Sequence, residues 1–263
     1  MSEPSVIVAK DARGVGTVAI NRPQVRNAID DTVIRSLTDA FKTLGADGKT
    51  RIVVLTGRGV AFSAGADLDW MRRMAAGSEA ENLASAKTIS AMLRALNELP
   101  KPTIARINGA AYAAGIGLIA ACDIAIAAEE AVFSISEVRI GLVPSTISPY
   151  VLAAIGAKAA RRYFLTGEAF SAAEAHRLGL VHQVVPGSGL DAAIESVVAS
   201  LLTGGPQSQA RAKRLIADIA GRPVDDALEA LTARSIADAR ASAEGREGIA
   251  AFLEKRRPAW RRE

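Results

Sequence analysis

Two short runs, IVVLTG at 52–57 and TIARI at 103–107, carry apolar residues on both faces, and a strand of that kind is stable only with helices covering each side of its sheet. Between them lies an amphipathic stretch, 79–99, closed by Pro100 and Pro102. Strand, helix and strand in that order predict a parallel crossover, which is right-handed in nearly all proteins. The chain is thus constrained to an α/β fold, a parallel sheet with helices packed on it. With 263 residues, 49% of them hydrophobic, it can bury a large core without staples. Cys122 is the only cysteine, so no intrachain disulfide can form. It reads as a small buried residue closing a helix before a strand, in a protein of the reducing cytoplasm.

On the amino-terminal side, the β-branched runs at 5–10 and 16–20 predict a hairpin. The segment NRPQVRNAID turns the chain, with Pro23 fixing one backbone angle and Asp30 or Asp31 placed to cap a helix. Val33, Ile34, Leu37, Ala40, Phe41 and Leu44 continue that helix at its period. Beyond Pro144 the pattern turns helical, with predicted helices at 148–155, 157–165, 171–178, 190–202, 207–219, 225–241 and 245–256, broken at Gly156, Gly167 and around Pro186 and Gly187. The best division lies near residues 195–205, giving a β/α core over 1–198 and a helical region over 199–263.

Several function classes are disfavoured. MSEPSVIVAK lacks a basic segment followed by an apolar run, so no secretory leader is expected. The most apolar window, 109–128, is interrupted by Gly115, Gly117 and Asp123, which argues against a membrane span. Net charge is +4, with a basic cluster of Lys255, Arg256, Arg257, Arg261 and Arg262, but only 4% aromatic residues, too few for a base-stacking surface. Nucleic acid is therefore an unfavoured partner. His176 and His182 lack metal-ligand spacing, no phosphate loop or dinucleotide fingerprint occurs, and neither Ser63 nor Ser136 has a histidine in a recognisable motif.

Chemistry concentrates between Asn108 and Ser145. A helix beginning among glycines and alanines leaves backbone N–H groups unpaired at its positive end, suited to a developing negative oxygen. Glu137 is the carboxylate placed to move a proton beside such an oxygen, although spacing alone favours a capping or salt-bridge carboxylate with Arg139 as its partner. Upstream, AFSAGADL sets Gly65 among alanines, where a ligand can approach the backbone, and places Asp67 to interact with the start of a helix; an ordinary turn would use the same residues.

Taken together, NGAAYAAGIGL, the following CDIAIAAEEAVFSISEVRIGLVP and the upstream AFSAGADL resemble the enoyl-CoA hydratase/isomerase (crotonase) superfamily, with the resemblance running from Val6 to Trp260. It implies a crotonase-like (ββα) spiral core followed by a helical trimerisation region, assembled as a homotrimer or homohexamer. It also implies an acyl-CoA thioester as substrate, with coenzyme A as part of that substrate and no separate cofactor or metal. By position, the two backbone donors to the thioester oxygen are Ala66 and Ala114, the latter where the family has glycine. The family's second catalytic glutamate falls at Glu137, whereas its first falls at Gly117, which has no side chain. The coenzyme A portion is expected along Arg26, Ala64, Gly65, Ala66, Asp67 and Leu68, with Phe252 and Lys255 covering the acyl-CoA of a neighbouring subunit.

Within the superfamily, SEVRIGLVPSTISPYV looks most like bacterial 3-methylglutaconyl-CoA hydratases. The expected activity is therefore hydration of a 2-enoyl-CoA, with Glu137 as acid and base, assisted by the substrate's distal carboxylate or by Tyr112, Ser145 or Thr146. Double-bond isomerisation and acyl-CoA binding without catalysis are the alternatives.

Overall fold

The computed structural model describes residues 3–261, so Met1, Ser2, Arg262 and Glu263 lie outside it. The hairpin forms as expected: β1 (Val6–Lys10) pairs antiparallel with β2 (Val15–Ile20). Helix α1 (Asp31–Ala46) follows, and of the two candidate caps it is Asp30 whose carboxylate accepts the N–H groups of Thr32 and Val33. The two apolar runs become β3 (Ile52–Gly57) and β5 (Thr103–Ile107), with α3 (Glu79–Asn97) between them. Every residue of β3 is buried, as its two apolar faces require.

Three of the long strands are each followed within a few residues by a short one that turns away into a second sheet. After β3 comes β4 (Ala61–Ser63), after β5 comes β6 (Ala110–Tyr112), and β8 (Val132–Ser134) follows β7 (Ile124–Ala128). With β9 (Ala169–Ser171) and β10 (Gln183–Val185), the chain forms a six-stranded sheet in the order β1-β2-β3-β5-β7-β10 and a four-stranded sheet in the order β4-β6-β8-β9. Apart from β1 with β2 and β8 with β9, neighbours are parallel. Successive coils each contribute one strand to each sheet, which is the spiral expected from the resemblance.

The corners explain the Asn-Gly pair at 108–109. Asn108 accepts the Gly57 N–H and donates to the carbonyls of Gly59 and Ala61, fastening one coil to the previous corner. A Cβ on Gly109 would be driven into the Val60 carbonyl, so only glycine lets the backbones approach there.

Helix α1 and α3 cover one side of the large sheet over a core containing Phe41, Phe62, Met92 and Phe133. On the opposite side lies α7 (Leu190–Thr203), which packs Leu190, Ile194 and Val198 onto Ile52, Val54, Ile104 and Ile126. The expected break at Gly156 is present: this residue has φ 72° and interrupts α5 (Ser148–Thr166). α6 (Ala172–Leu178) and then α8 (Pro206–Ile219), α9 (Asp226–Ala241) and α10 (Ala243–Leu253) complete the chain. Lys213 on α8 reaches Asp123 at 2.8 Å, tying these last helices to the start of β7. No helix among the described residues is long and apolar enough to cross a membrane.

Candidate active site

Two loops meet at one edge of the small sheet. The first, 64–67, leaves β4; the second, at Ala113, leads from β6 into α4 (Ala114–Ala121). Their parent strands are paired through Ala61 with Ala110 and Ser63 with Ala111. Gly65, at φ +85°, lies so close to the second loop that a Cβ there would sit 3.0 Å from the Tyr112 carbonyl oxygen and 3.1 Å from Ala113 Cβ.

A trans peptide points its C=O and N–H in opposite directions, so anchoring one aims the other. The Gly65 carbonyl accepts the Ile29 N–H at 2.7 Å, and Ile29 returns a carbonyl to the Asp67 N–H at 2.9 Å. The intervening Ala66 N–H therefore faces away from Ile29. Across the gap, the Ala113 carbonyl accepts from both Ile116 and Gly117, at 2.9 and 3.2 Å, which turns the Ala114 N–H outward from the helix. Neither N–H has an acceptor among the described residues. The second loop holds strain: Ala113 has φ 48° and ψ −114°, unfavourable for a residue with a Cβ, and its own N–H is held by the Ser134 carbonyl at 3.0 Å.

Three residues beyond Ser134 the chain reaches Glu137, at the start of a 3-10 turn spanning Glu137–Ile140. The carboxylate is half-buried, and its Oε2 is fully enclosed without a hydrogen-bond partner among the described residues. The alternative pairing with Arg139 does not form, since that side chain lies instead against Gly167. Nor does Tyr112, Ser145 or Thr146 donate to Glu137. Burial raises the carboxyl's pKa above its ordinary 4.5, with its own backbone N–H acting in the other direction.

That shift carries a stability consequence. A carboxyl whose pKa is higher in the folded than in the unfolded chain costs stability when ionised, and the cost vanishes below the ordinary value. Glu137→Gln is expected to raise Tm at about pH 7.5 and to give no gain at about pH 4. Unchanged melting at the higher pH would contradict a buried, destabilising charge.

Gly117, one turn into α4, faces Ile147. A Cβ at 117 would fall well inside contact distance of Ile147 Cγ2, 3.0 Å from its Cβ and 3.5 Å from Leu93 Cδ2. Ile147 is 1% exposed, so it cannot swing out freely. The space a glutamate would use is filled by hydrocarbon. Gly117→Glu is expected to lower Tm by several degrees, as overpacking and a buried charge each cost about 1–3 kcal/mol. Adding Ile147→Ala should recover part of the loss; an unchanged Tm for the single variant would show that the site is open.

The remaining candidates separate into two groups. Arg26, in a left-handed conformation with φ 52°, gives its carbonyl to the Ala64 N–H at 2.8 Å, and its exposed guanidinium has no partner among the described residues. Asp67 caps α2 (Leu68–Ala75), and Leu68 is 67% exposed at the mouth of the same loop. Arg26 is joined to the 64–68 segment through Ala64, and that segment approaches the second loop at Gly65, beside Tyr112 and Ala113. Phe252 and Lys255 stand apart, at the end of α10, where Phe252 is 82% exposed and the helix packs on α8 and α9. In the basic cluster, Arg256 is taken up by Glu247 and Glu254 at 2.7 and 2.6 Å.

Residues that the sequence presented as a turn prove central to the first loop. Asn27 is fully buried and holds the carbonyls of Arg58 and Ala61, while the Ser63 hydroxyl bonds the Asn27 carbonyl and accepts the Gly65 N–H. The polar residues on either side of Pro23 were the available signal. Cys122 closes α4 as expected but is partly exposed rather than a buried residue, and desolvation of its thiol pushes the pKa up to about 12.

The geometry has clear counterparts among known proteins. The family model described as Enoyl-CoA hydratase/isomerase matches residues 10–263. A crystal structure of an enoyl-CoA hydratase from Shewanella pealeana is 39% identical, covers 97% of this chain and 96% of its own, and superposes with a TM-score of 0.95. An enoyl-CoA hydratase structure from Mycobacterium smegmatis is 37% identical over 99% of this chain and 100% of its own, with a TM-score of 0.93. The hydroxycinnamoyl-CoA hydratase-lyase of Pseudomonas fluorescens is 36% identical over 176 residues, 66% of this chain and 64% of that protein. With a match that runs nearly end to end in both sequence and fold, the chain belongs to the enoyl-CoA hydratase/isomerase family, the enzymes of the crotonase superfamily.

Proposed function

We propose that this enzyme adds water to a 2-enoyl-CoA, using Glu137 as its single acid and base, and that 3-methylglutaconyl-CoA is its substrate. The thioester oxygen sits between the Ala66 and Ala114 N–H groups, which bond most strongly when it carries negative charge. Glu137 takes a proton from water as the water oxygen bonds to C3, and the electron pair of the double bond moves toward the thioester oxygen as an enolate. The protonated Glu137 then returns its proton to C2, so one water is added and the carboxylate is restored. The observation that carries this reading is the buried Oε2 of Glu137, which no group among the described residues already satisfies.

With glycine at 117 and Ile147 against it, the second carboxylate that would help to hold the water is missing. A substrate bearing its own distal carboxylate can supply that contact, which supports a glutaconyl-type acyl group. The same hydrocarbon wall also favours a second reading: double-bond isomerisation moves a proton between carbons and needs no bound water. Incubation in oxygen-18 water separates the two, because only hydration leaves the label in a hydroxyl group. Faster turnover of crotonyl-CoA than of 3-methylglutaconyl-CoA would overturn the substrate assignment. Binding of CoA thioesters without turnover would identify a non-catalytic homologue.

The helical region at 199–263 is assigned to assembly as a trimer or hexamer, with Phe252 and Lys255 reaching the acyl-CoA of a neighbouring copy. Support comes from Ile216, Ile249, Phe252 and Leu253, apolar side chains of α8 and α10 that are at least half exposed in the single chain. Light scattering of the purified protein measures that mass directly.

A further inference from the structure

We propose that Arg22 is a positioning residue for the Ala66 donor, clamping the segment before α1 to the loop that carries it. The inference rests on Ala66 and Ala114 forming the oxyanion hole. It concerns a residue that is not itself expected along the acyl-CoA, but that holds one residue that is, Asp67.

The first loop is held to residue 29 by an isolated bridge, Ile29 with Ala66, and has no ladder on either side to fix its register. Arg22 spans this bridge. Its Nη1 donates to the Ala28 carbonyl at 2.6 Å and lies 3.1 Å from Asp30 Oδ2, while Nη2 donates to Asp67 Oδ2 at 2.9 Å. One guanidinium thus joins the residues just before and after Ile29 to the residue just after Ala66. The planar fork of arginine suits such a three-way contact better than the point charge of lysine.

Both carboxylates in the clamp are helix caps. Asp30 caps α1 through its Oδ1, and Asp67 caps α2 in the same way, so each keeps Oδ2 for Arg22. Arg22 and Asp67 side chains are only 19% and 14% exposed, so water screens the cluster weakly. Without the guanidinium, two carboxylates would face one another across the bridge that aims the Ala66 N–H. Their repulsion would draw Asp67 away from Asp30 and rotate the Gly65–Ala66 peptide. Backbone bonds from Asn27 to Arg22, and from Arg22 N–H to the Asn27 side chain at 2.9 Å, hold Arg22 in place for this task.

The test compares Arg22→Gln, Arg22→Lys, the double variant Arg22→Gln with Asp30→Asn, and Gly65→Ala, each assayed for kcat and KM with the best 2-enoyl-CoA substrate. Asn at 30 can still cap α1. For Arg22→Gln the expected result is a fall in kcat of about 10- to 100-fold, less than the loss of a whole donor, with KM within about 3-fold. Lysine at 22 should restore part of kcat. So should removal of the Asp30 charge in the double variant, which adds no contact and only relieves repulsion. Wild-type kcat in Arg22→Gln, beside an impaired Gly65→Ala, would overturn the clamp and leave the oxyanion hole standing. Wild-type kcat in both would show that the hole itself is misassigned. A loss in Arg22→Gln that Asp30→Asn does not relieve would make Arg22 a purely structural residue and also overturn the proposal. Should Arg22→Gln fail to fold, Arg22→Lys with and without Asp30→Asn carries the same comparison.

Discussion

Glu137→Gln is expected to lower kcat by about 10²- to 10⁴-fold while leaving KM for the acyl-CoA nearly unchanged. The substitution keeps the shape of the side chain and removes only its capacity to accept and return a proton. The position that the resemblance matches to a second catalytic glutamate is Gly117, which carries no carboxylate and is blocked by Ile147. The pH profile supplies a second check. Burial raises the Glu137 carboxyl, and the base must be ionised to act, so the acid limb of kcat/KM should lie above pH 4.5 in the parent and disappear in the variant. A variant that turns over at the parental rate would remove Glu137 from the mechanism.

Gly65→Ala should be nearly as damaging, though the residue has no side chain to lose. At φ +85° it occupies backbone space that an L-residue with a Cβ rarely enters. The added methyl would press on the Tyr112 carbonyl oxygen and Ala113 Cβ, pushing apart the two loops whose N–H groups converge on one oxygen in the proposed mechanism. Loss of one such donor costs about 3–4 kcal/mol in the transition state, so kcat should fall about 10²- to 10³-fold. Far-ultraviolet circular dichroism should remain that of the parent, since neither sheet passes through residue 65. Parental kcat in a folded Gly65→Ala protein would show that the two loops do not share an oxygen.

Much of this architecture is legible in the sequence because the signals are local. Asp30, Ser78 and Asp225 each stand one residue before a helix and cap it. The doubly apolar runs become the buried strands β3 and β5, and Gly156 breaks α5 through its own backbone. The short strands β4, β6, β9 and β10 are not legible, because three residues cannot display a period of two and each exists only by pairing with a distant coil. The role of Asn27 is hidden for a similar reason: its partners Arg58 and Ala61 lie more than 30 residues away. Glu137 and Arg139 show the converse error, where closeness in sequence suggests an ion pair and the 3-10 turn sends the two side chains apart. At Gly117 the missing carboxylate is visible in the sequence, but the isoleucine that fills its place, 30 residues onward, is not.

In the proposed mechanism Ala66 and Ala114 hold a thioester oxygen while Glu137 moves a proton at the adjacent carbon. Exchange of the α-protons of a saturated acyl-CoA in deuterium oxide, followed by mass spectrometry, isolates that step from water addition and from product release. The parent enzyme should incorporate deuterium at C2 and Glu137→Gln should not. Equal incorporation by both proteins, or none by the parent, would contradict the account.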